Sequence, residues 1–477
     1  MHEDRPDELT RRGLLAAGAG IGAVALLPAE ALARVPREAK RRHRRRHRHH
    51  RRPARRPATA PSPAPSSPAL GHGGAPTDNV TLARLAREHG AGEPLMFADL
   101  AAVDSNSLVI TSFARANRWA VRPALKAFQS PRFCAYVLGL LPEPRGLIFH
   151  LRQVDQVLTA APPGTDLLTG YPPTRGELRA FLGRRAPSGQ PPHRLRILVS
   201  SVDLLQEFAD LARTTPRPLP LEVGLEFDSG EGRGGFHKPA DISAALALLR
   251  SARDRLRLTA VLCYDGHATL NGDQHYRQGV ATQARSFYAG YLQQLEAEGA
   301  DLFDAATLVR NGPASSNYRN WAGSTECNEI SPGSAFSYPG YLDSFDHDGL
   351  ASALAQCAPV LKVIGPYPAV PVTKIPVAPA NGQEEYFLKG SSWPDGGGTE
   401  PAFIYPNGVN DDQLEGGRAA VYAPAGSLGP EDYVLCRPNQ AGDGIDYFGA
   451  VTVVRSGQVL TTWPTFSRWS APAGSSL

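Results

Sequence analysis

The chain has 477 residues, 42% of them hydrophobic and 20% charged, a balance that suits one large folded domain and a smaller one. Its net charge of +4 misleads: residues 1–60 hold 16 of the 50 Lys+Arg and 6 of the 46 Asp+Glu, which leaves 34 basic against 40 acidic residues beyond position 60. A mildly acidic body argues against a nucleic-acid surface. The five cysteines (Cys134, Cys263, Cys327, Cys357 and Cys436) are scattered, with no CxxC or CxxH spacing. That argues against a structural zinc site, and they read as free buried thiols.

At the N-terminus, Thr10-Arg11-Arg12-Gly13-Leu14-Leu15 opens a Gly/Ala-rich apolar run from Leu14 to Leu27. Ala31-Leu32-Ala33 follows as a small-residue cleavage site. The twin arginine resembles a Tat signal, and the run is too short and too Gly-rich to span a membrane. Residues 1–33 are therefore expected to be a Tat-type signal peptide. The Tat machinery would carry the folded protein to the periplasm or the outside. Arg34–Arg56 is a basic tract with His43, His47, His49 and His50 and no apolar periodicity. It reads as a solvated tail with weak affinity for acidic polymers or phospholipid, with metal binding by its histidines as the alternative. Pro53–Pro76 is Pro/Ala/Ser-rich and reads as an extended linker. Residues 34–77 are thus linker, and the fold is expected to begin near residue 78.

Strands and helices then alternate. Arg196–Ser200, Leu219–Phe227 and Leu258–Tyr264 read as short apolar strands, and Asp203–Arg213, Ala240–Arg255 and Val280–Glu298 as amphipathic helices. Such spacing predicts βαβ units on a parallel sheet, either a barrel or an open doubly wound sheet. No GxGxxG follows a strand at a helix start, which weakens a dinucleotide fold. Chemistry-rich residues gather just after the strands, where a barrel keeps its site. The fold class is therefore α/β: a (β/α)8 TIM-like barrel over 78–357 with a small C-terminal all-β domain over 358–477. Val360–Ile364, Ala419–Tyr422, Tyr433–Leu435 and Gly449–Val454 supply the β-rich runs of that domain.

Four segments carry candidate chemistry, each with a plainer alternative. Trp119–Leu125 reads as the first barrel strand, and Lys126 at its end is either an imine-forming amine or a surface lysine. Asp228–Gly235 (DSGEGRGG) is a glycine-rich loop after a strand. It lets backbone approach a ligand closely and lets Arg233 offer a fork of donors, or it is merely flexible. Cys263-Tyr264-Asp265-Gly266-His267 presents an aromatic, a carboxylate and an imidazole that titrates near neutrality, or it is a turn with a satisfied histidine. Asn311–Tyr318 (NGPASSNY) follows a late strand as a small, hydroxyl-rich phosphate cradle or as a plain loop.

In this order, the four segments resemble the D-threonine aldolase and D-serine dehydratase family, relatives of the alanine racemase barrel. The Arg-Pro-x-x-Lys segment of that family carries the lysine of pyridoxal 5'-phosphate (PLP), which corresponds to Lys126. Its Asp-x-Gly-x-x-Arg-x-Gly loop is matched by Asp228–Gly235, implying Arg233 near the pyridine nitrogen. Its Gly-Tyr-Glu/Asp-Gly-His segment is matched by Cys263–His267, implying Tyr264 at the cofactor. The phosphate loop is matched by Asn311–Tyr318, implying Ser315, Ser316 and Asn317. Glu329–Ser334 resembles the family's Glu-x-x-Pro-Gly-Ser, and Val454–Gly457 and Thr462–Pro464 resemble C-terminal features. The resemblance covers about residues 93–469 and also implies a homodimer.

One segment departs from the family. Its Pro-Asn-His-x-Cys or Pro-x-His-x-Asp, which holds a catalytic divalent metal, reads Pro438-Asn439-Gln440-Ala441-Gly442 here. A neutral amide is a poor ligand for zinc or manganese, and glycine offers no side chain. Metal binding is not expected at this segment, with Asp443 or Asp446 as the alternative ligands. The resemblance thus implies a PLP-dependent lyase acting on a D-3-hydroxy amino acid without the metal. Lys126 and His267 are the catalytic candidates, with Tyr447 and Asp443 as other acid–base candidates. The alternatives are an amino-acid racemase or epimerase, and a PLP-binding protein without turnover.

Overall fold

The computed structural model describes residues 72–184, 193–215, 220–345, 349–365, 382–389, 402–407 and 420–466. The signal peptide expected at 1–33, and the expected linker (34–77) as far as residue 71, lie outside the described residues. Helix α1 (Asn79–His89) starts where Asp78 accepts the Thr81 amide at 2.9 Å. Its apolar face, Leu82, Ala83, Leu85 and Ala86, is buried against Phe97, Ala355 and Leu435. Strand β1 (Leu95–Asp99) leads into α2 (Leu100–Ala116), with the Asp99 carboxylate capping Ala101 N–H at 2.8 Å.

Eight parallel strands follow, with α-helices in most of the connections. They are β2 (Ala120–Val121), α3 (Pro131–Gly139), β3 (Arg145–Ile148), α4 (Leu151–Ala160), β4 (Asp166–Thr169), α5 (Arg175–Leu182), β5 (Arg194–Val199) and α6 (Val202–Thr214). Next come β6 (Leu221–Glu226), α7 (Pro239–Ser251), β7 (Leu256–Leu262), α8 (Gln274–Gly299), β8 (Val309–Ala314) and β9 (Glu329–Ser331). The sheet order is β2-β9-β8-β7-β6-β5-β4-β3. The two free edges meet through one bridge, Ala124 to Leu147, and through the Leu147 amide on Pro123 O at 2.9 Å. This is the expected barrel, nearly closed. Ala124, Leu147, Leu168, Leu198, Ala260, Leu262 and Val309 fill its interior.

Two stretches differ from the sequence expectation. Within Trp119–Leu125 the pairing to β9 covers only Ala120 and Val121, and Pro123, whose carbonyl faces β3, has no N–H to add a bond on that edge. Lys126 then sits in a 3-10 turn, Leu125–Ala127. Asn311–Ala314, read as loop, is the second half of β8. Its polarity hid the strand: buried Asn311 donates to Glu329 Oε1 at 2.9 Å and accepts from the Ser331 hydroxyl at 2.9 Å.

The second sheet comprises β10 (Leu354–Ile364), β11 (Gln383–Leu388), β12 (Ala402–Tyr405), β13 (Ala420–Pro424), β14 (Tyr433–Arg437), β15 (Ala450–Arg455) and β16 (Gln458–Pro464). Helix α9 (Ala441–Tyr447) lies between β14 and β15. This sheet also takes in β1, a segment inside the span read as barrel, antiparallel to β10 and parallel to β15. It therefore joins the N-terminal strand to the C-terminal ones.

The barrel seam is held by charge. The Arg122 side chain is fully buried and donates to Glu329 Oε1 (2.5 Å), Asp166 O (2.7 Å) and Gly146 O (3.4 Å), so one guanidinium ties β9, β4 and β3. Arg145 pairs with Glu329 Oε2 at 3.0 Å, and Arg196 pairs with Asp166. Burial pushes the Glu329 carboxyl up, but the Arg122 charge and hydrogen bond, with Arg145 and Asn311, hold it below the usual range. A carboxyl with a depressed folded pKa stabilises above its unfolded pKa and loses that contribution as pH falls through the folded value. Arg122→Met leaves this buried carboxylate with only the half-buried Arg145 as ion partner and is expected to lower stability by about 3–5 kcal/mol in urea unfolding at pH 7. The deficit should narrow on acidification, where Glu329 protonates in the variant first. A deficit that is small or independent of pH would contradict the role of this pair.

Candidate active site

The candidate residues gather at the C-terminal ends of the barrel strands. Lys126 follows β2, and its Nζ lies 4.9 Å from the centre of the Phe149 ring and 5.9 Å from that of Tyr171. Phe149 and Tyr171 follow β3 and β4 and meet edge to face at 5.1 Å. Gly170 makes room for this pair, since a Cβ there would lie 2.5 Å from the Phe149 ring. The Arg233 guanidinium, in the loop after β6, lies over Tyr171 at 4.4 Å and over Tyr264 at 4.9 Å. Successive strands thus set an amine, two aromatic rings, a guanidinium and a phenol side by side.

The loop carrying Arg233 turns through Gly230, Gly232, Gly234 and Gly235, all at positive φ. Phe236 brings it back to the sheet, donating to Glu226 O at 2.8 Å and accepting from Asp228 N–H at 3.1 Å. Glu226 ends β6 beneath the guanidinium, 3.8 Å from Arg233 Nε. Burial pushes the Glu226 carboxyl up to about 7, against the pull of Arg233 and with Glu231 and Asp228 adding to the rise.

Asp265 is wholly buried and serves as a fastener. One oxygen accepts the Ala314 amide at 2.9 Å, and the other accepts Asn317 Nδ2 at 2.7 Å and Trp321 Nε1 at 2.8 Å. The Asn317 side chain also accepts from Asn320 at 2.8 Å, so its amide group works within the scaffold. Ser315 Oγ accepts the Ala335 amide at 3.3 Å, while the buried Ser316 hydroxyl has no protein partner. Neither ring nitrogen of half-buried His267 has one. Burial lowers the His267 pKa against the opposing pull of Asp265 and Asp228.

Helix α9 approaches the same lysine. A Cβ at Gly442 would lie 2.5 Å from the Lys126 carbonyl oxygen, so this position admits no side chain without displacement. Gln440 occupies the N-cap position of α9. Asp443 and Tyr447 lie on the same helix and are exposed. Among the described residues, no group of three or more His, Cys, Asp or Glu is arranged to hold a metal ion.

Residues 181–338 match the model of the alanine racemase N-terminal domain. A D-threonine aldolase from Filomicrobium marinum superposes with a TM-score of 0.62 at 18% identity, over 78% of this chain and 94% of that one. The chain has the alanine racemase-type fold, a barrel with a second β-sheet unit. D-threo-3-hydroxyaspartate dehydratase from Delftia sp. HT23 shares this fold (TM-score 0.58, 18% identity, 79% of this chain and 98% of that one). So does alanine racemase from Bacillus anthracis (0.53, 13% identity, 78% and 97%). A search of curated proteins gives no sequence match.

Sequence reasoning passed over Phe149, Tyr171, Glu231 and Tyr341. The first two each follow a strand of only four residues, too short for a periodicity signal, and Glu231 was masked by its glycine neighbours. Tyr341 bonds the Ser334 side chain, and burial pushes its phenol up to about 12.

Proposed function

We propose that the chain is a PLP-dependent lyase acting on a D-3-hydroxy amino acid. The observation that carries the reading is that Lys126 and Arg233 both lie over the same Tyr171 ring at the barrel mouth. Two further features fit the cofactor. The Ser316 hydroxyl is buried and unpartnered, as a phosphate contact requires. Gly333 brings the following loop so close to the Lys126 segment that a Cβ would lie 2.6 Å from Ala124 O. Lys126 would hold the aldehyde carbon, Ser315 and Ser316 the phosphate, and Arg233 and Tyr264 the ring. When bound, PLP supplies an electron sink for bonds broken at the substrate Cα or Cβ.

The chain's own residues then divide the remaining work. Phe149 and Tyr171 give the Lys126 amine an aromatic lining. His267, with its pKa lowered by burial, is neutral at pH 7 and accepts a proton at a free ring nitrogen. The racemase reading draws on Gln440 and Gly442, which supply no metal carboxylate, imidazole or thiolate beside Lys126. Incubation with D-threonine, D-serine and L-alanine under EDTA separates the readings. Release of aldehyde or keto acid supports the lyase, and His267→Ala is expected to slow that release about 100-fold. Solvent deuterium at Cα with inversion and no cleavage transfers the assignment to a racemase. PLP bound without turnover of any substrate would leave a binding protein. The homodimer implied by the resemblance belongs to this reading, and light scattering on the same sample should give twice the chain mass.

The same reading places the protein outside the cytoplasm, because Arg11-Arg12 precedes a short apolar run and a small-residue cleavage site. Arg11→Lys with Arg12→Lys should retain the protein in the cytoplasm with residues 1–33 attached. Unchanged secretion of the double variant would rule out the Tat route.

A further inference from the structure

Glu231 is the carboxyl at the mouth that the scaffold leaves partly free. Both Asp265 oxygens are committed to Ala314, Asn317 and Trp321. Asp228 accepts the Gly230 amide at 2.9 Å within its own loop, and Glu226 lies beneath Arg233 at the end of β6. Glu231 sits between Gly230 and Gly232, at φ 88° and 72°, so the backbone of the loop doubles back on both sides of it. One Glu231 oxygen receives the Gly266 amide and fixes the side chain across the strand gap. The other, Oε2, is buried and has no partner.

The charged and titratable groups felt across this gap are Lys126 after β2, Arg233 and Glu226 on the β6 side, and Tyr264 and Asp265 after β7. Burial is the largest influence on the Glu231 carboxyl and pushes it up. Arg233, the Gly266 amide and Lys126 pull it down, Asp265 adds to the rise, and the net direction is up. A carboxyl raised in this way retains its proton closer to neutrality.

Lys126 and Arg233 share the Tyr171 ring, with Nζ at 5.9 Å and the guanidinium carbon at 4.4 Å from its centre. In a pyridine-4-aldehyde, the ring nitrogen lies directly opposite the carbon that carries the aldehyde. A flat ring attached at Lys126 and reaching toward Arg233 would carry its nitrogen to the Arg233 loop, where Glu231 holds the unpartnered oxygen. We propose that Glu231 is a cofactor-contacting acid of this site, whose unpartnered oxygen gives its proton to the ring nitrogen of the bound pyridine. The carboxyl O–H bond breaks and an N–H bond forms. The carboxylate left behind faces the new ring cation and the Arg233 charge, so the pair of charges stays within the site. This inference rests on the PLP reading given above.

The test compares wild type, Glu231→Gln and Glu231→Asp as full-length protein reconstituted with PLP. A visible band in wild type that titrates with pH, and whose titration is lost or displaced by at least one pH unit in Glu231→Gln, is the expected result. Glu231→Asp should restore part of it, and turnover in Glu231→Gln should fall about 100-fold. Reconstitution with the analogue carrying C–H in place of the ring nitrogen should abolish the spectral difference between wild type and Glu231→Gln. A band in Glu231→Gln with the wild-type titration overturns the proposal while leaving the PLP reading intact, as does a difference that persists with the analogue. Should Glu231→Gln fail to fold, the wild-type band alone decides: titration with PLP but not with the C–H analogue is expected, and the same titration with both overturns it. No visible band in wild type overturns the proposal and the PLP reading together.

Discussion

The barrel seam depends on one buried guanidinium. Arg122 lies four residues ahead of Lys126, beside the gap between β2 and β3 that the ladder leaves almost unpaired. Its donors reach β9 through Glu329, β4 through the Asp166 carbonyl and β3 through Gly146. A buried arginine is costly unless its charge is matched, and here Glu329 and Asp166 match it. This fixes where the short strand ends. Beyond it Pro123 adds no N–H to the ladder, and the 3-10 turn presents Lys126 at the mouth rather than in the wall.

Everything chemical in the site stands on that edge. The strands β3, β4, β6 and β7 each add one group: Phe149, Tyr171, then the Arg233 loop, then Tyr264. Phe149 and Tyr171 meet edge to face and the guanidinium lies over Tyr171 and Tyr264, so the line is held by aromatic and cation–π attraction more than by hydrogen bonds. Hydrogen bonds do the opposite task one layer further round. Asp265 draws the end of β7 to the Ser315–Asn317 loop, in which the buried Ser316 hydroxyl has no hydrogen-bond partner. Beneath Arg233, burial pushes the Glu226 carboxyl up to about 7 against the pull of the guanidinium.

The elements read most directly from the chain were β5, β6 and β7 with α6, α7 and α8, where apolar runs and helical spacing alternate cleanly. The strands that escaped were short or polar. β3 and β4 have four residues each, and β8 carries Asn311 because its interior partners are Glu329 and Ser331. The place of β1 in the second sheet is a long-range pairing with β10 and β15, which local periodicity does not encode. Among site residues, Lys126, Arg233, Tyr264 and His267 were legible only through the order of their segments. Phe149, Tyr171 and Glu231 needed the coordinates, because nothing in their own neighbourhoods distinguishes them from ordinary loop residues. Gly442 was read as a lost ligand. The structure adds that its missing side chain is what lets α9 rest on the Lys126 carbonyl.

The central claim is that Lys126, among six lysines in the chain, bears the cofactor. Borohydride reduction of the PLP-loaded protein followed by peptide mass mapping tests it most directly. The account predicts a single pyridoxyl-phosphate mass increment on the peptide containing Lys126. An increment on the peptide of Lys40, Lys238, Lys362, Lys374 or Lys389, or none at all, would contradict it.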